Sequence, residues 1–155
     1  MDRREFLARG GGAGVVTGLV AAGWLPAGAL AGEVPWLREA FEARSLEDVM
    51  RVLGAAGSGE DGGIAIVAPE IAENGAVVPL EIAVNLPDAG ALAIIVERNP
   101  SPLAALFEFP AGTASQVSTR VKMAQTSNVI AVARIAGQYR YAAKEIKITL
   151  GGCGG

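Results

Sequence analysis

One residue in this 155-residue chain is a strong nucleophile, and four glycines surround it. The sequence holds a single cysteine, Cys153, and no histidine. Without histidine it can form no Ser-His-Asp triad, Cys-His dyad, blue-copper centre or His-ligated zinc or haem site. With one cysteine it can form no internal disulfide, four-cysteine zinc site or iron–sulfur cluster. Thiol chemistry at Cys153 is what remains, and the residues suggest no cofactor.

The segment reads Gly151-Gly152-Cys153-Gly154-Gly155. Four glycines leave no side chain to pack the thiol down, and they open backbone conformations closed to other residues. The expectation is a flexible arm over 151–155. Ordering it costs ~1–2 kcal/mol per residue, a cost best met inside a partner's cleft. Extended, Gly151 to Cys153 reach at most ~10 Å, which suits a narrow channel. The sequence places no cation, helix N-terminus or second cysteine beside the thiol. The nucleophile is therefore presented but not activated, and activation is expected of the enzymes that receive it. A frayed end with an accidental cysteine is the bland alternative. The isolation of an exposed thiol in an exported chain argues against it. Prenylation fits poorly, because the cysteine stands third from the end and not fourth.

Export is read from residues 1–31. A basic start with Arg3-Arg4 and Phe6-Leu7 precedes a Gly/Ala/Val run, and Ala29-x-Ala31 follows. This is the pattern of a twin-arginine signal peptide cleaved after Ala31, with a periplasmic destination. Glycines and Pro26 interrupt the run before a bilayer span of ~20 apolar residues, so stable membrane insertion is not expected. Removing 1–31 takes three arginines and two carboxylates from a net charge of −3, leaving −4. A mildly acidic body offers no basic stripe for nucleic acid.

Behind the arm stands a chain that is 51% hydrophobic and only 5% aromatic, so small and β-branched aliphatics must fill the core. Residues 32–63 read as a helical lead and linker. Apolar steps of three and four run from Pro35 to Gly54, a second helix starts at Ser45, and 57–63 reads as a loop. Residues 64–150 read as seven strands: Ile64–Val67, Val77–Val84, Leu92–Glu97, Ala104–Phe109, Gln116–Met123, Asn128–Ile135 and Tyr139–Leu150. Leu92–Glu97 has the solid aliphatic character of a strand buried on both faces. Turn residues separate the strands, notably at Glu73-Asn-Gly75, Asn99-Pro-Ser-Pro102 and Thr126-Ser-Asn128. The fold class is mainly β: an immunoglobulin-like β-sandwich of about seven strands with a short helical lead and the flexible arm.

Two other groupings could carry chemistry. Glu70 and Glu73 could form a glycosidase-like pair, but turn and surface charge is the favoured reading. Arg120 and Lys122 alternate on one strand with Arg134 and Arg140 nearby, and could steer an anion or an acidic partner. A solvated strand face is favoured there too.

Taken together, the signal, the segment Ala72-Glu-Asn-Gly75-Ala-Val-Val-Pro-Leu80 and the Gly-Gly-Cys-Gly-Gly segment make the chain resemble the SoxY family. These are the sulfur-covalent carrier subunits of bacterial thiosulfate oxidation. The resemblance implies a heterodimer with a SoxZ-like subunit and a thiosulfate-derived sulfur load on Cys153, with Gly151, Gly152, Gly154 and Gly155 as the carrier arm. It implies a c-type cytochrome that couples thiosulfate to the thiol, a hydrolase that releases sulfate, and a sulfane dehydrogenase. The carrier itself would be no enzyme. Two rivals stand beside it: a ubiquitin-like sulfur carrier, which needs ATP that an exported protein would not meet, and an immunoglobulin-like interaction module without covalent chemistry.

Overall fold

The structure is a computed structural model that describes residues 35–149. The proposed signal, residues 1–31, and the proposed arm, residues 151–155, lie outside the described residues, as do residues 32–34 of the expected lead and Leu150 of the last expected strand. The described chain runs α1 (Pro35–Glu42), α2 (Leu46–Leu53), β1 (Gly59–Glu60), β2 (Ile64–Val67), β3 (Ile71–Ala72), β4 (Val78–Val84), β5 (Ala89–Val96), β6 (Leu103–Glu108), β7 (Gln116–Val121), β8 (Ser127–Ile135) and β9 (Gln138–Ile148).

Helix α2 is set by its ends. Ser45 is extended, and its hydroxyl oxygen accepts the Asp48 N–H at 3.1 Å while donating to Asp48 Oδ2 at 2.8 Å. This satisfies one of the orphan donors of the first turn. At the other end Gly54 takes φ 75°, its N–H meets Arg51 O at 3.0 Å, and the Ala55 N–H meets Met50 O at 2.8 Å. That paired closure needs a left-handed residue, which glycine adopts without strain. The Ser45 hydroxyl, and then the Arg51 guanidinium, hold the Asp48 carboxyl below its ordinary value.

The strands form two sheets. The larger runs β1-β9-β8-β5-β6, with β3 also paired to β9, and the smaller runs β2-β4-β7. All seven expected strands are present, with ends shifted by up to three residues. Strand β5 starts at Ala89, three residues earlier than the apolar run suggests, and its register slips between Ala89 and Ala91. Two further strands, β1 and β3, are two residues each and run parallel to β9 at opposite ends of its outer edge. Two residues carry no periodicity, so β1 falls in a stretch that reads as loop, and β3 falls just before the Glu73-Asn-Gly75 turn in a stretch given no element.

Two cores flank the large sheet. Between the sheets, Val78, Leu80, Ile82 and Val84 of β4 meet Leu92, Ile94 and Val96 of β5 and Val129, Ala131 and Ala133 of β8. On the opposite face, Ala93 and Ile95 of β5 and Ile130 and Val132 of β8 pack under Ala40, Val49 and Leu53 of the helices. Strands β5 and β8 are thus covered on both faces. That is why each reads as an unbroken aliphatic run where β4 alternates buried and exposed.

Ile94 and Ile95 are both fully buried, one in each core. Ile94→Ala and Ile95→Ala should each cost ~2–5 kcal/mol in urea unfolding. A cost under ~1 kcal/mol for Ile95→Ala alone would mean that the helix layer contributes little.

A second outcome concerns acid. A lowered Asp48 pKa in the folded chain contributes stability above the unfolded carboxylate value, lost as pH falls through the folded value. Ser45→Ala should lower stability at neutral pH by ~1 kcal/mol. It should also flatten the fall in stability below the ordinary Asp range, as read by denaturation from about pH 5 to about pH 2.

Candidate functional site

The described chain reaches Thr149, four residues short of Cys153. Cys153 and its glycines lie outside the described residues, so the site is described by its root: how β9 ends and what holds it there. The antiparallel ladder of β8 and β9 runs to the pair Ser127–Ile146. Beyond that pair each N–H still finds an acceptor. Lys147 N–H donates to Glu70 O at 2.9 Å, Ile148 N–H to Thr126 Oγ1 at 3.0 Å, and Thr149 N–H to Ala72 O at 3.1 Å. Alternate residues of a strand bond to alternate sides. The last residues of β9 are therefore held by the Glu70–Ala72 segment on one side and by a threonine hydroxyl on the other.

Both partners are themselves fixed. Asn74 Oδ1 accepts the Ala76 N–H at 2.9 Å, which closes the turn from β3 to β4. Within that turn the Gly75 carbonyl accepts the Met123 N–H at 2.7 Å. A Cβ on Gly75 would collide with the Met123 carbonyl oxygen and lie 3.3 Å from Ile148 Cγ2. Glycine is required here by close backbone approach. The loop from β7 to β8 is held by Asn99, whose amide donates to Lys122 O at 2.7 Å and accepts from the Ala124 N–H at 2.9 Å. Ser127, a buried polar residue, accepts the Arg98 N–H at 3.0 Å. Three loops are thus stitched together around the end of β9.

The surface beside this root is partly apolar. Val67, Ile71 and Val77 are 62%, 57% and 51% exposed, and they fall on the segment that carries β3 and the Asn74-Gly75 turn.

The other sequence candidates resolve simply. Glu70 and Glu73 flank β3 with exposed side chains, and it is the Glu70 carbonyl that serves the site. The four cations do not form one face. Arg120 lies on β7 of the small sheet opposite Pro79, whereas Arg134 and Arg140 lie on the large sheet. Arg140 Nε stands 3.8 Å from Asp61 Oδ2. The chain crosses between sheets from β7 to β8, so alternation along one strand does not carry over to the next. Sequence reasoning misses Thr126 and β3. Thr126 is visible only as turn punctuation, and Gly75 only as half of an Asn-Gly pair. Among the described residues, no group of three or more His, Cys, Asp or Glu side chains could hold a metal ion, and no helix is long and apolar enough to cross a membrane.

Two stacked sheets, helices over one of them and a last strand clamped just before the only thiol define an immunoglobulin-like sandwich organised around one chain segment. The family model of the sulfur oxidation protein SoxY matches residues 49–153, a span that includes Cys153. The structure of the sulfur carrier protein SoxY from Chlorobium limicola f thiosulfatophilum is similar at TM-score 0.63 and 37% identity, over 73% of this chain and 99% of that one. The chain belongs to the SoxY family of sulfur oxidation proteins. A superoxide reductase (neelaredoxin) from Ignicoccus hospitalis, in a singly substituted form, is similar at TM-score 0.50 and 19% identity, over 58% of this chain and 82% of that one. That is a likeness of fold alone. No curated protein sequence matches.

Gly75→Ala should lower stability by ~1–3 kcal/mol, because the added methyl must displace a backbone carbonyl. It should also speed amide exchange at Met123 and Ile148. Gly62→Ala, where a Cβ meets nothing within 4 Å, is the control and should change neither.

Proposed function

We propose that this protein is a periplasmic sulfur carrier in thiosulfate oxidation, holding its cargo covalently on Cys153. The observation that carries the reading is the position of that thiol. It is the only one in the chain, it lies within the span matched by the SoxY family, and it follows a clamped strand end by four residues. The solved relative is itself a sulfur carrier protein.

In the proposed cycle the Cys153 thiol joins the outer sulfur of thiosulfate. A sulfur–sulfur bond forms, the thiol proton leaves, and a c-type cytochrome takes two electrons. Water then attacks the terminal sulfone group under a hydrolase, releasing sulfate and a proton and leaving a persulfide on the cysteine. A sulfane dehydrogenase oxidises that sulfur further. The carrier has no turnover of its own, and a SoxZ-like subunit completes it as a heterodimer. Gly151, Gly152, Gly154 and Gly155 form the arm, and export follows the twin-arginine route with cleavage after Ala31.

The test is the intact mass of the mature protein purified from periplasm without reductant, before and after a thiol reductant. Sulfur, sulfonate or thiosulfonate adducts should map to the peptide containing Cys153 and vanish on reduction. Cys153→Ser should carry none while keeping its fold. One unmodified mass, unchanged by thiosulfate and periplasmic extract, would leave an interaction module as the better reading. Gly152→Val separates the arm from the body: stability should hold, while thiosulfate-dependent cytochrome reduction slows. An unchanged rate would remove the narrow-channel argument.

A further inference from the structure

We infer that Thr126 is a positioning residue for the carrier arm: by capping the Ile148 amide it fixes where the rigid body stops, and so sets how far Cys153 can reach. The inference rests on the carrier reading above and concerns a residue with no chemistry of its own.

The geometry is specific. Past the Ser127–Ile146 pair the ladder with β8 has ended, and among the described residues Ile148 N–H has on that side only the Thr126 hydroxyl, at 3.0 Å. On the other side Lys147 and Thr149 are held by the carbonyls of Glu70 and Ala72. Remove the hydroxyl and Ile148 keeps a donor with no acceptor among the described residues, so the strand can peel from that side. Strand β3 is two residues long, and only two register pairs join it to β9. A bridge that short is a weak restraint by itself. The hydroxyl closes the opposite side.

The consequence for the thiol follows from chain length. With the root fixed at Thr149, four residues separate it from Cys153, a reach of at most ~14 Å. If the strand frays back to Ile146, seven residues separate them and the reach grows to ~24 Å. Effective concentration of a tethered group at a nearby channel falls roughly as the −3/2 power of tether length, or more steeply where swept volume governs. Nearly doubling the tether dilutes Cys153 at the channel mouth by about two- to fivefold. The loop that carries Thr126 is in turn set by Asn99, which holds Lys122 O and Ala124 N–H. Asn99 thus acts on the arm at one further remove.

The experiment compares Thr126→Val, which keeps the shape and loses the acceptor, with Thr126→Ser, which keeps the acceptor. In the full chain, hydrogen exchange at Ile148 should speed by about three- to tenfold in the valine variant and return in the serine variant. A nitroxide attached at Cys153, the only thiol, should broaden amides in the loops around Thr149 in the wild type. In Thr126→Val that broadening should weaken there and spread along β3 and β9. Loading by thiosulfate with periplasmic extract should slow, with about two- to fivefold as the limit reached when the end is frayed in most molecules. Alkylation by iodoacetamide, which needs no channel, should not change. An unchanged exchange rate, or an unchanged paramagnetic pattern despite faster exchange, overturns the inference, as does a serine variant that fails to restore either. A wild type that acquires no adduct sinks the carrier reading instead, and the exchange and nitroxide results still decide whether the clamp exists.

Discussion

Strand β9 must end somewhere, and its last amides must all be satisfied where it does. Strand β8 bonds one side of it, and the short strands β1 and β3 bond the two ends of the other. To supply β1 and β3 the chain leaves the large sheet after Glu60, runs as β2 in the small sheet, and returns at Ile71. The linkage between the sheets and the fixing of the final strand are one arrangement. A buried or half-buried strand end without acceptors would cost about as much as a lost hydrogen bond per group. Here the backbone carbonyls of Glu70 and Ala72 and one threonine hydroxyl remove that cost.

The large sheet can hold such a strand because it is rigid on both faces. Helices cover one side and the small sheet the other, and the side chains that fill both spaces are mostly alanine, valine, isoleucine and leucine. Close-packed aliphatic interiors transmit small displacements and do not absorb them. Fixing Ser127 and Thr126 at the start of β8 therefore fixes them relative to the whole sandwich. Ser127 is the one buried polar residue among those described, and its hydroxyl is spent on the Arg98 amide of the neighbouring loop.

Much of this is legible in the sequence where a period or a cap makes it so. The apolar run at Leu92 announces a strand buried on both faces, and β5 is one. Ser45 and Gly54 announce the ends of α2 by the side-chain and backbone chemistry that caps helices. What cannot be read are relations between distant residues. Gly75 is glycine because Met123 approaches it, and Thr126 matters because Ile148 lies beside it. Neither spacing leaves a trace along the chain. The cations mislead for the same reason: Arg120 and Arg134 look like neighbours until the chain changes sheet between them.

The chemistry of the clamp also suits the proposed cargo. The groups that hold the loops around Thr149 are chiefly uncharged: the Asn74, Asn99, Thr126 and Ser127 side chains and backbone carbonyls. On the carrier reading, Cys153 bears a neutral thiol at one stage and an anionic sulfonate adduct at another, within ~14 Å of this root. A clamp built on ion pairs would feel that change, because charges interact over about a Debye length, ~8–10 Å at physiological salt. Neutral hydrogen bonds feel it much less. The root then holds the arm alike whatever it carries, and recognition of the cargo is left to the enzymes that receive it.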